Sequence, residues 1–234
     1  MLSPDRDESH PVVLLVPVKA LARAKSRLRG AHVDHDGLVL AIVHDTVSAA
    51  MAAEQVVHTV VVSDDARVLG CAQRLGADTC SPAAGSLNRD LGVAAGVARR
   101  RFARATIAAL PADLPALRTD DLEAAIRAAR GRRCFVPDRD GSGTTLLLSG
   151  PGLPLDPRYG PESGTRHAAS GARRLVGPWA SLAYDVDTPT DLAGAADLGL
   201  KGRTGALMSK HRNPRTTPPH PMRASTGHDD ARSA

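Results

Sequence analysis

The feature that most constrains the fold is a regular alternation of short apolar runs with longer segments of helical periodicity. Apolar runs at residues 12–18, 55–63 and 105–110 are each followed by a segment in which apolar residues recur three or four positions apart. The runs predict buried strands and the segments between them predict helices. Such repetition is typical of an α/β domain with helices on both faces of its sheet. We therefore predict an α/β fold with a mostly parallel, mixed sheet flanked by helices.

The composition divides the chain into a central domain at residues 11–204 and two flanking segments. Residues 1–10 are polar, and residues 205–234 are rich in Pro, Ser, Thr and His without an apolar period. Both flanks are predicted to be disordered. The formal net charge of +5 arises entirely after Leu200. We interpret this basic tail as a solvated appendage and expect no nucleic-acid partner.

Several sequence features bear on the compartment. No apolar run approaches the roughly 20 residues that a membrane-spanning helix needs, and the polar N-terminus does not have the pattern of a secretory signal. The three cysteines, Cys71, Cys80 and Cys134, lack the spacing of a metal site. We expect a cytoplasmic protein with reduced thiols and no membrane partner.

Ligands of such sheets bind at the carboxyl ends of the strands, and the first predicted strand ends in a cluster of cations. Lys19, Arg23, Lys25 and Arg27 lie within nine positions of one another. They could neutralise a triphosphate and the pyrophosphate that leaves it. A solvated helix face would have the same composition, so both interpretations remain open. The chain lacks the GxxxxGK[ST] signature of a P-loop ATPase.

Carboxylates follow other predicted strands. Asp113 lies in LPADLP, where the flanking prolines favour an extended turn, and Asp185 and Asp187 lie in AYDVDTPTDL, which we predict to end a strand. A spacing of two residues on an extended segment places both side chains on one face. We predict that Asp113 and Asp185 bind Mg²⁺, which prefers oxygen ligands. Asp187 could serve the metal, or Asp187 or Thr188 before Pro189 could start the last helix.

Two glycine-rich segments could hold an anion. In DGSGTT, residues 140–145, the glycines expose backbone amides and two threonines add hydroxyls, although Asp-Gly also signals a hairpin turn. In YGPESGTRH, residues 159–167, small residues precede a predicted helix start. We interpret His167 as structural or exposed rather than as a catalytic base, because a phosphate nucleophile needs no strong base.

Taken in order, seven segments resemble one family. They are PVK…AKSRL, VVSDD, G-x-LN, ADLPAL, DGSGTTLLL, YGPxSxxRH and DVDTPxDL. Together they resemble the 2-phospho-L-lactate guanylyltransferase family, whose actinobacterial members are thought to use phosphoenolpyruvate. The resemblance spans residues 11–200. It implies a nucleotidyltransferase with a glycosyltransferase-A-like fold, which transfers GMP from GTP to phosphoenolpyruvate or 2-phospho-L-lactate and releases pyrophosphate. The family acts in the biosynthesis of the deazaflavin coenzyme F-420.

The resemblance also implies roles for individual residues. Asp113 and Asp185 would bind Mg²⁺, in agreement with the prediction from their positions. Thr145, Gly160 and Ser163 would hold the phosphoenolpyruvate or phospholactate.

For the nucleotide, the resemblance implies that Lys19 and Lys25 hold the GTP phosphates and are the catalytic cations. Gly85 and Asn88 would lie near the nucleoside. One position departs from the family: Glu162 stands where the family usually has glycine. An anionic side chain there would oppose an anionic ligand unless it points outward.

Two other interpretations remain. One is a related nucleotidyltransferase acting on a sugar phosphate or molybdopterin, although the Pro-Val-Lys segment lacks the glycine-rich turn that is usual there. The other is a non-catalytic nucleotide-binding protein. If the chain is this enzyme, its expected ligands are GTP and either phosphoenolpyruvate or 2-phospho-L-lactate. Its expected protein partner is the downstream transferase that consumes the product.

Overall fold

A computed structural model of the chain describes residues 10–21, 25–28, 32, 34–82 and 85–212. The predicted cation Arg23 lies outside the described residues, as do residues 1–9 and 213–234. The strands are β1 (Val12–Pro17), β2 (Val56–Val62), β3 (Asp78–Cys80), β4 (Thr106–Ala109), β5 (Cys134–Val136), β6 (Leu146–Ser149) and β7 (Arg173–Arg174). The helices are α1 (His35–Met51), α2 (Ala66–Arg74), α3 (Leu87–Arg101), α4 (Thr119–Ala129), α5 (Ser163–Ala169), α6 (Pro189–Asp197) and α7 (Gly202–Arg212), with a short 3-10 helix at Ser26–Leu28.

All the strands join one sheet in the order β3-β2-β1-β4-β6-β5-β7. β1 pairs in parallel with β2 and β4, β2 with β3, and β5 with β7. β6 alone among the described strands runs antiparallel, and it pairs with β4 and β5. The prediction of a mostly parallel, mixed sheet is confirmed.

Helices cover both faces of the sheet, which explains the apolar runs. In β1, Val12, Leu14 and Val16 belong to one core cluster, whereas Val13 and Leu15 belong to another on the opposite face. The first cluster contains buried residues of α1, α2 and α4, and the second contains those of α3. A strand buried on both faces has no solvent side to mark with polar residues, so its sequence is continuously apolar.

One local prediction of a strand was wrong. The segment that carries Asp185 and Asp187 is irregular rather than a strand. Its Val186 amide donates to the carbonyl of Asp113 at 3.0 Å, so one hydrogen bond replaces the expected sheet pairing. Thr119 is the first residue of α4, and its hydroxyl donates to the carbonyl of Ala49.

The predicted start of the disordered tail, at residue 205, is too early, because residues 205–212 are part of helix α7. Asp45 on α1 accepts hydrogen bonds from the backbone amides of Arg203 and Thr204 and so caps this helix. Thr204 is fully buried. The weak apolar periodicity of α7 gave no signal of this contact. None of the described helices is both long and apolar enough to span a membrane.

Candidate active site

A cavity of about 350 Å³ lies at the carboxyl ends of β1 and β4. The exit of β1, helix α1, the segment after β4, the β5–β6 turn and the start of α5 all contribute to its walls. Its polar side chains are those of Lys19, Lys25, Asp113, Thr144, Tyr159, Ser163 and Asp187. The position agrees with the rule that parallel sheets bind ligands at the carboxyl ends of their strands.

Lys25 joins two carboxylates inside this cavity. Its Nζ lies 2.7 Å from Oδ2 of Asp113 and 2.5 Å from Oδ1 of Asp187, and only 14% of its side chain is exposed. Burial by itself would lower the pKa of Lys25, but the attraction of the two carboxylates outweighs it and raises the pKa. Lys25 is therefore a permanent cation at the carboxylate cluster. Its backbone has a φ of +49°, which is uncommon for a residue with a side chain.

Asp113, Asp185 and Asp187 form a cluster in which carboxylate oxygens lie within 4.8 Å of one another. Burial, and then the negative charges of Asp113 and Asp187, raise the pKa of Asp185 to about 6. Oδ1 of Asp113 is buried without a hydrogen-bond partner among the described residues. Converging carboxylates with an unsatisfied oxygen fit a hard divalent cation, so the residues suit a metal.

A capping interaction holds the segment of Asp185 and Asp187 in place. Asp191, in the first turn of α6, accepts a hydrogen bond from the amide of Asp187 at 3.0 Å and one from the guanidinium of Arg139. Burial alone would raise the pKa of Asp191, but these hydrogen bonds lower it to about 2. Of the two residues predicted as possible starts of the last helix, Thr188 is the N-cap of α6 and Asp187 is not.

A second cavity, of about 520 Å³, adjoins the first. Pro17, Val18, Lys19 and Leu87 line both cavities. Gly85 lines the second cavity with a φ of +72°, a conformation that suits glycine. The structure thus places Lys19 between the cavities and Gly85 at the larger one.

Two predicted nucleotide residues lie elsewhere. Arg27 is exposed on the 3-10 helix and, within the described ranges, lines neither cavity. Asn88 likewise does not line them, because its amide group is engaged with the backbone of Tyr159. Its Nδ2 donates to the Tyr159 carbonyl at 3.0 Å, and its Oδ1 accepts from the Tyr159 amide at 2.7 Å. Asn88 therefore anchors the loop before α5, which sequence reasoning missed.

Of the predicted acceptor residues, Gly160 and Ser163 line the first cavity but Thr145 does not. The Thr145 hydroxyl faces the carbonyl of Val136 at 3.5 Å, and the neighbouring Thr144 lines the cavity instead. Successive residues of an extended segment point to opposite sides, so an error of one residue exchanges the two faces. The sequence offered two adjacent threonines and no signal to choose between them.

The DGSGTT segment is a hairpin turn between β5 and β6. Asp138 accepts the amide of Gly143 at 2.8 Å, so this N–H is not available to an anion. The amide of Gly164 on α5 donates to the carbonyl of Ser142 at 2.8 Å and ties the turn to α5. The hairpin interpretation is confirmed, and the segment contributes the Thr144 hydroxyl rather than an amide nest.

Glu162 is exposed and precedes α5 with a φ of +53°. Among the described residues that line the first cavity, its neighbours Gly160 and Ser163 are present and Glu162 is not. Its charge therefore lies outside the proposed ligand site.

Comparison with solved structures identifies the class of fold. The chain superimposes on a putative nucleotide-diphospho-sugar transferase from Desulfovibrio desulfuricans with a TM-score of 0.64, at 14% identity, over 86% of this chain and 95% of that one. A cytidylyltransferase from Leptospira borgpetersenii gives a TM-score of 0.53 at 12% identity over 88% and 95%. The fold is that of the nucleotide-diphospho-sugar transferases and cytidylyltransferases.

Comparison of sequences identifies one family within this class of fold. A family model described as "Guanylyl transferase CofC like" matches residues 12–196, so the chain belongs to this family. A phosphoenolpyruvate guanylyltransferase of Salinispora arenicola is 49% identical over 201 residues, which is 83% of this chain and 92% of the relative. One of Streptomyces coelicolor is 45% identical over 202 residues, 84% of this chain and 95% of the relative.

Proposed function

We propose that this protein transfers GMP from GTP to phosphoenolpyruvate and releases pyrophosphate. The observation that carries the proposal is the convergence of Lys25, the Asp113–Asp185–Asp187 cluster and the hydroxyls of Thr144 and Ser163 at one end of the sheet. The named activity of the relatives supports it. 2-Phospho-L-lactate is the alternative acceptor, because it has the same charged groups.

In this reaction an oxygen of the acceptor phosphate attacks the α-phosphorus of GTP. A new P–O bond forms as the bond from the α-phosphorus to the bridging oxygen breaks, and pyrophosphate leaves with that electron pair. The attacking phosphate is already ionised near neutral pH, so no base has to remove a proton. Lys25 neutralises charge on the transferred phosphoryl group, and Lys19, between the cavities, holds the departing phosphates.

We assign a Mg²⁺ site to Asp113, Asp185 and Asp187. When bound, the ion supplies a positive charge that the phosphate oxygens need during transfer. Asp113 and Asp187, which line the smaller cavity, would hold it together with the neighbouring Asp185. Lys25, which pairs with two of these carboxylates, keeps a second positive charge beside the same point.

We place the acceptor in the smaller cavity, against Thr144, Ser163 and Gly160, and the nucleoside in the larger cavity near Gly85. A cytoplasmic location and a downstream transferase that consumes the product belong to the same proposal. The product is a reactive mixed anhydride of two phosphates, so a consuming enzyme is chemically expected.

Pyrophosphate release by the purified protein tests the proposal. GTP and Mg²⁺ are supplied with phosphoenolpyruvate or 2-phospho-L-lactate, and ATP replaces GTP in a parallel series. Release that requires phosphoenolpyruvate and GTP is expected. Release with 2-phospho-L-lactate only would reassign the acceptor, and no release with either would overturn the proposal.

A further inference from the structure

His167 on α5 is buried behind the acceptor cavity, and the proposed reaction gives it no role. Its side chain is fully enclosed. The ring of Tyr159 meets it edge-on with centroids 5.3 Å apart, and the ring of Phe135 lies 5.9 Å away. Both nitrogens of this enclosed ring nevertheless have polar partners, which allows its proton to be placed.

The partners of His167 fix its tautomer. The backbone amide of Arg158, which can only donate, lies 2.9 Å from Nε2. Nε2 must therefore present a lone pair, and the proton of a neutral ring is on Nδ1. Nδ1 lies 2.9 Å from Oγ1 of Thr144, so Nδ1–H donates to the Thr144 hydroxyl.

A proton count for the two hydroxyls follows from this tautomer. Oγ of Ser163 lies 3.1 Å from Oγ1 of Thr144, so the hydroxyls share one hydrogen bond. The two hydroxyls carry two protons, and His167 accepts neither of them. One proton forms the hydrogen bond between the two oxygens, and the second proton has no partner within the pair or on His167. Both side chains line the acceptor cavity, so the remaining O–H can point into it.

The opposite tautomer would leave one proton fewer. A lone pair on Nδ1 would accept the Thr144 proton, and the Ser163 proton would then have to serve either the Thr144 oxygen or the cavity. With Nδ1–H, one proton satisfies the hydroxyl pair and the second is free for an anion. The position of a single buried proton thus decides whether the pair can donate into the cavity without losing its own hydrogen bond.

We propose that His167 is a positioning residue that directs one hydroxyl proton of the Thr144–Ser163 pair into the cavity, where it donates to an anionic oxygen of the acceptor. The inference rests on the proposed function for the identity of that acceptor. It gives the histidine of the YGPESGTRH segment a part in acceptor binding without direct contact with the acceptor.

The surroundings keep the ring neutral, as the proton count requires. Burial is the main cause that lowers the pKa of His167 to about 4, and the positive charge of Arg133 acts in the same direction. Arg166 and Arg158 also lower it, and Asp156 raises it. The single proton therefore stays on Nδ1 at neutral pH.

Two substitutions separate this role from that of a structural anchor. In His167→Asn, an amide N–H can take the place of Nδ1–H and still donate to Thr144, but the acceptor for the Arg158 amide is lost. In His167→Gln, the amide oxygen can reach the place of Nε2 and still accept from Arg158, but the donor to Thr144 is lost. The two variants thus each keep one half of the interaction.

We expect His167→Gln to raise the KM for phosphoenolpyruvate roughly 10- to 100-fold, which corresponds to one hydrogen bond to a charged group, with little change in the KM for GTP. His167→Asn should stay within a few-fold of the wild-type KM. The reverse ranking would overturn the inference, because it would show that anchoring the Arg158 amide is what matters.

A second measurement decides the inference without turnover. Nitrogen NMR of protein labelled with ¹⁵N-histidine reports which ring nitrogen carries the proton, and the His167 signals are those missing from His167→Gln. A neutral ring protonated on Nδ1 is expected, and protonation on Nε2 would overturn the inference. If wild-type protein releases no pyrophosphate but shows the Nδ1–H tautomer, the proposed function fails while the proton assignment stands.

Discussion

Nζ of Lys25 lies 2.7 Å from Oδ2 of Asp113, so a cation predicted to hold phosphates and a carboxylate predicted to hold a metal form one ion pair. The two predictions came from separate segments, 88 residues apart. Their pairing would couple the proposed binding of phosphate to that of a metal. A metal on Asp113 would compete with Lys25 for the carboxylate, and a phosphate beside Lys25 would compete with the carboxylate for the ammonium.

The first prediction concerns Lys25. Lys25→Met keeps most of the side-chain stem but removes the charge, and we expect turnover to fall on the order of 100-fold or more. The variant also removes the cation that pairs with Asp113 and Asp187, so Mg²⁺ should raise its melting temperature more than that of the wild type. Pyrophosphate release and thermal unfolding measure both effects. Lys201→Gln, at an exposed lysine after α6, is the matched control, and a normal rate in Lys25→Met would refute the role.

The second prediction concerns the metal. Asp113→Asn removes the charge of a carboxylate whose Oδ1 is buried without a hydrogen-bond partner in the described part of the chain. We expect the Mg²⁺ concentration needed for half-maximal activity to rise at least about 10-fold, since one anionic ligand is lost. The Mg²⁺-induced shift in melting temperature should shrink in parallel. Asp197→Asn, at the exposed end of α6, provides the comparison, and an unchanged Mg²⁺ titration would contradict the assignment.

Asn88 is expected to act on the acceptor rather than on the nucleoside. Asn88→Ala removes both hydrogen bonds to Tyr159, whose backbone precedes Gly160, and should cost about 1–3 kcal/mol of the free energy of unfolding. The KM for phosphoenolpyruvate should rise more than the KM for GTP. Asn88→Asp keeps the acceptor for the Tyr159 amide and should be milder. A selective rise in the KM for GTP would instead support the contact with the nucleoside.

Glu162 adopts the left-handed backbone conformation, and no capping hydrogen bond from its side chain offsets the steric cost. Its φ is +53°, and its side chain makes no capping hydrogen bond to α5. Glu162→Gly removes a steric cost of about 1–2 kcal/mol but adds flexibility to the unfolded chain, so we expect a gain of up to about 1 kcal/mol in the free energy of unfolding. Denaturant unfolding measures it. Glu162→Ala, which removes the charge but keeps Cβ, should show no such gain, and equal gains in both would point to charge instead.

The buried His167 should make stability depend on pH. Its pKa falls from an ordinary 6.5 to about 4 on folding, so between these values the unfolded chain binds more protons. Its contribution is complete above pH 6.5 and is lost as the pH falls towards 4. At about 1.4 kcal/mol per pKa unit, the loss is roughly 3 kcal/mol. The free energy of unfolding of wild type minus that of His167→Gln should fall by about this amount across the window, and a constant difference would refute it.

The sequence predicted those parts of the molecule that local chemistry determines. Strands β1 and β4 were recognisable because burial on both faces makes them continuously apolar, and Asp113 was recognisable because it follows such a strand between prolines. The location of Asp185 was also foreseen, although the hydrogen bond from Val186 to Asp113 holds it there rather than a strand. These features depend on a few neighbouring residues.

What the sequence did not predict depends on contacts between distant segments. Thr144 rather than Thr145 faces the cavity because of the register of β6, and Asn88 contacts Tyr159 across 71 positions of sequence. Helix α7 forms because Asp45 caps it from α1, 158 positions away. No local pattern records such partners, so their consequences appear only in the folded chain.

The wall shared by the two cavities has a consequence for the end of the reaction. Pro17, Val18, Lys19 and Leu87 touch both spaces, so a product that joins nucleotide to acid would be bivalent, with each half raising the effective concentration of the other at its own cavity. Such a molecule dissociates more slowly than either substrate. Product escape, rather than bond formation, would then limit the steady-state rate, and an enzyme that captures the released product would prevent it from binding again.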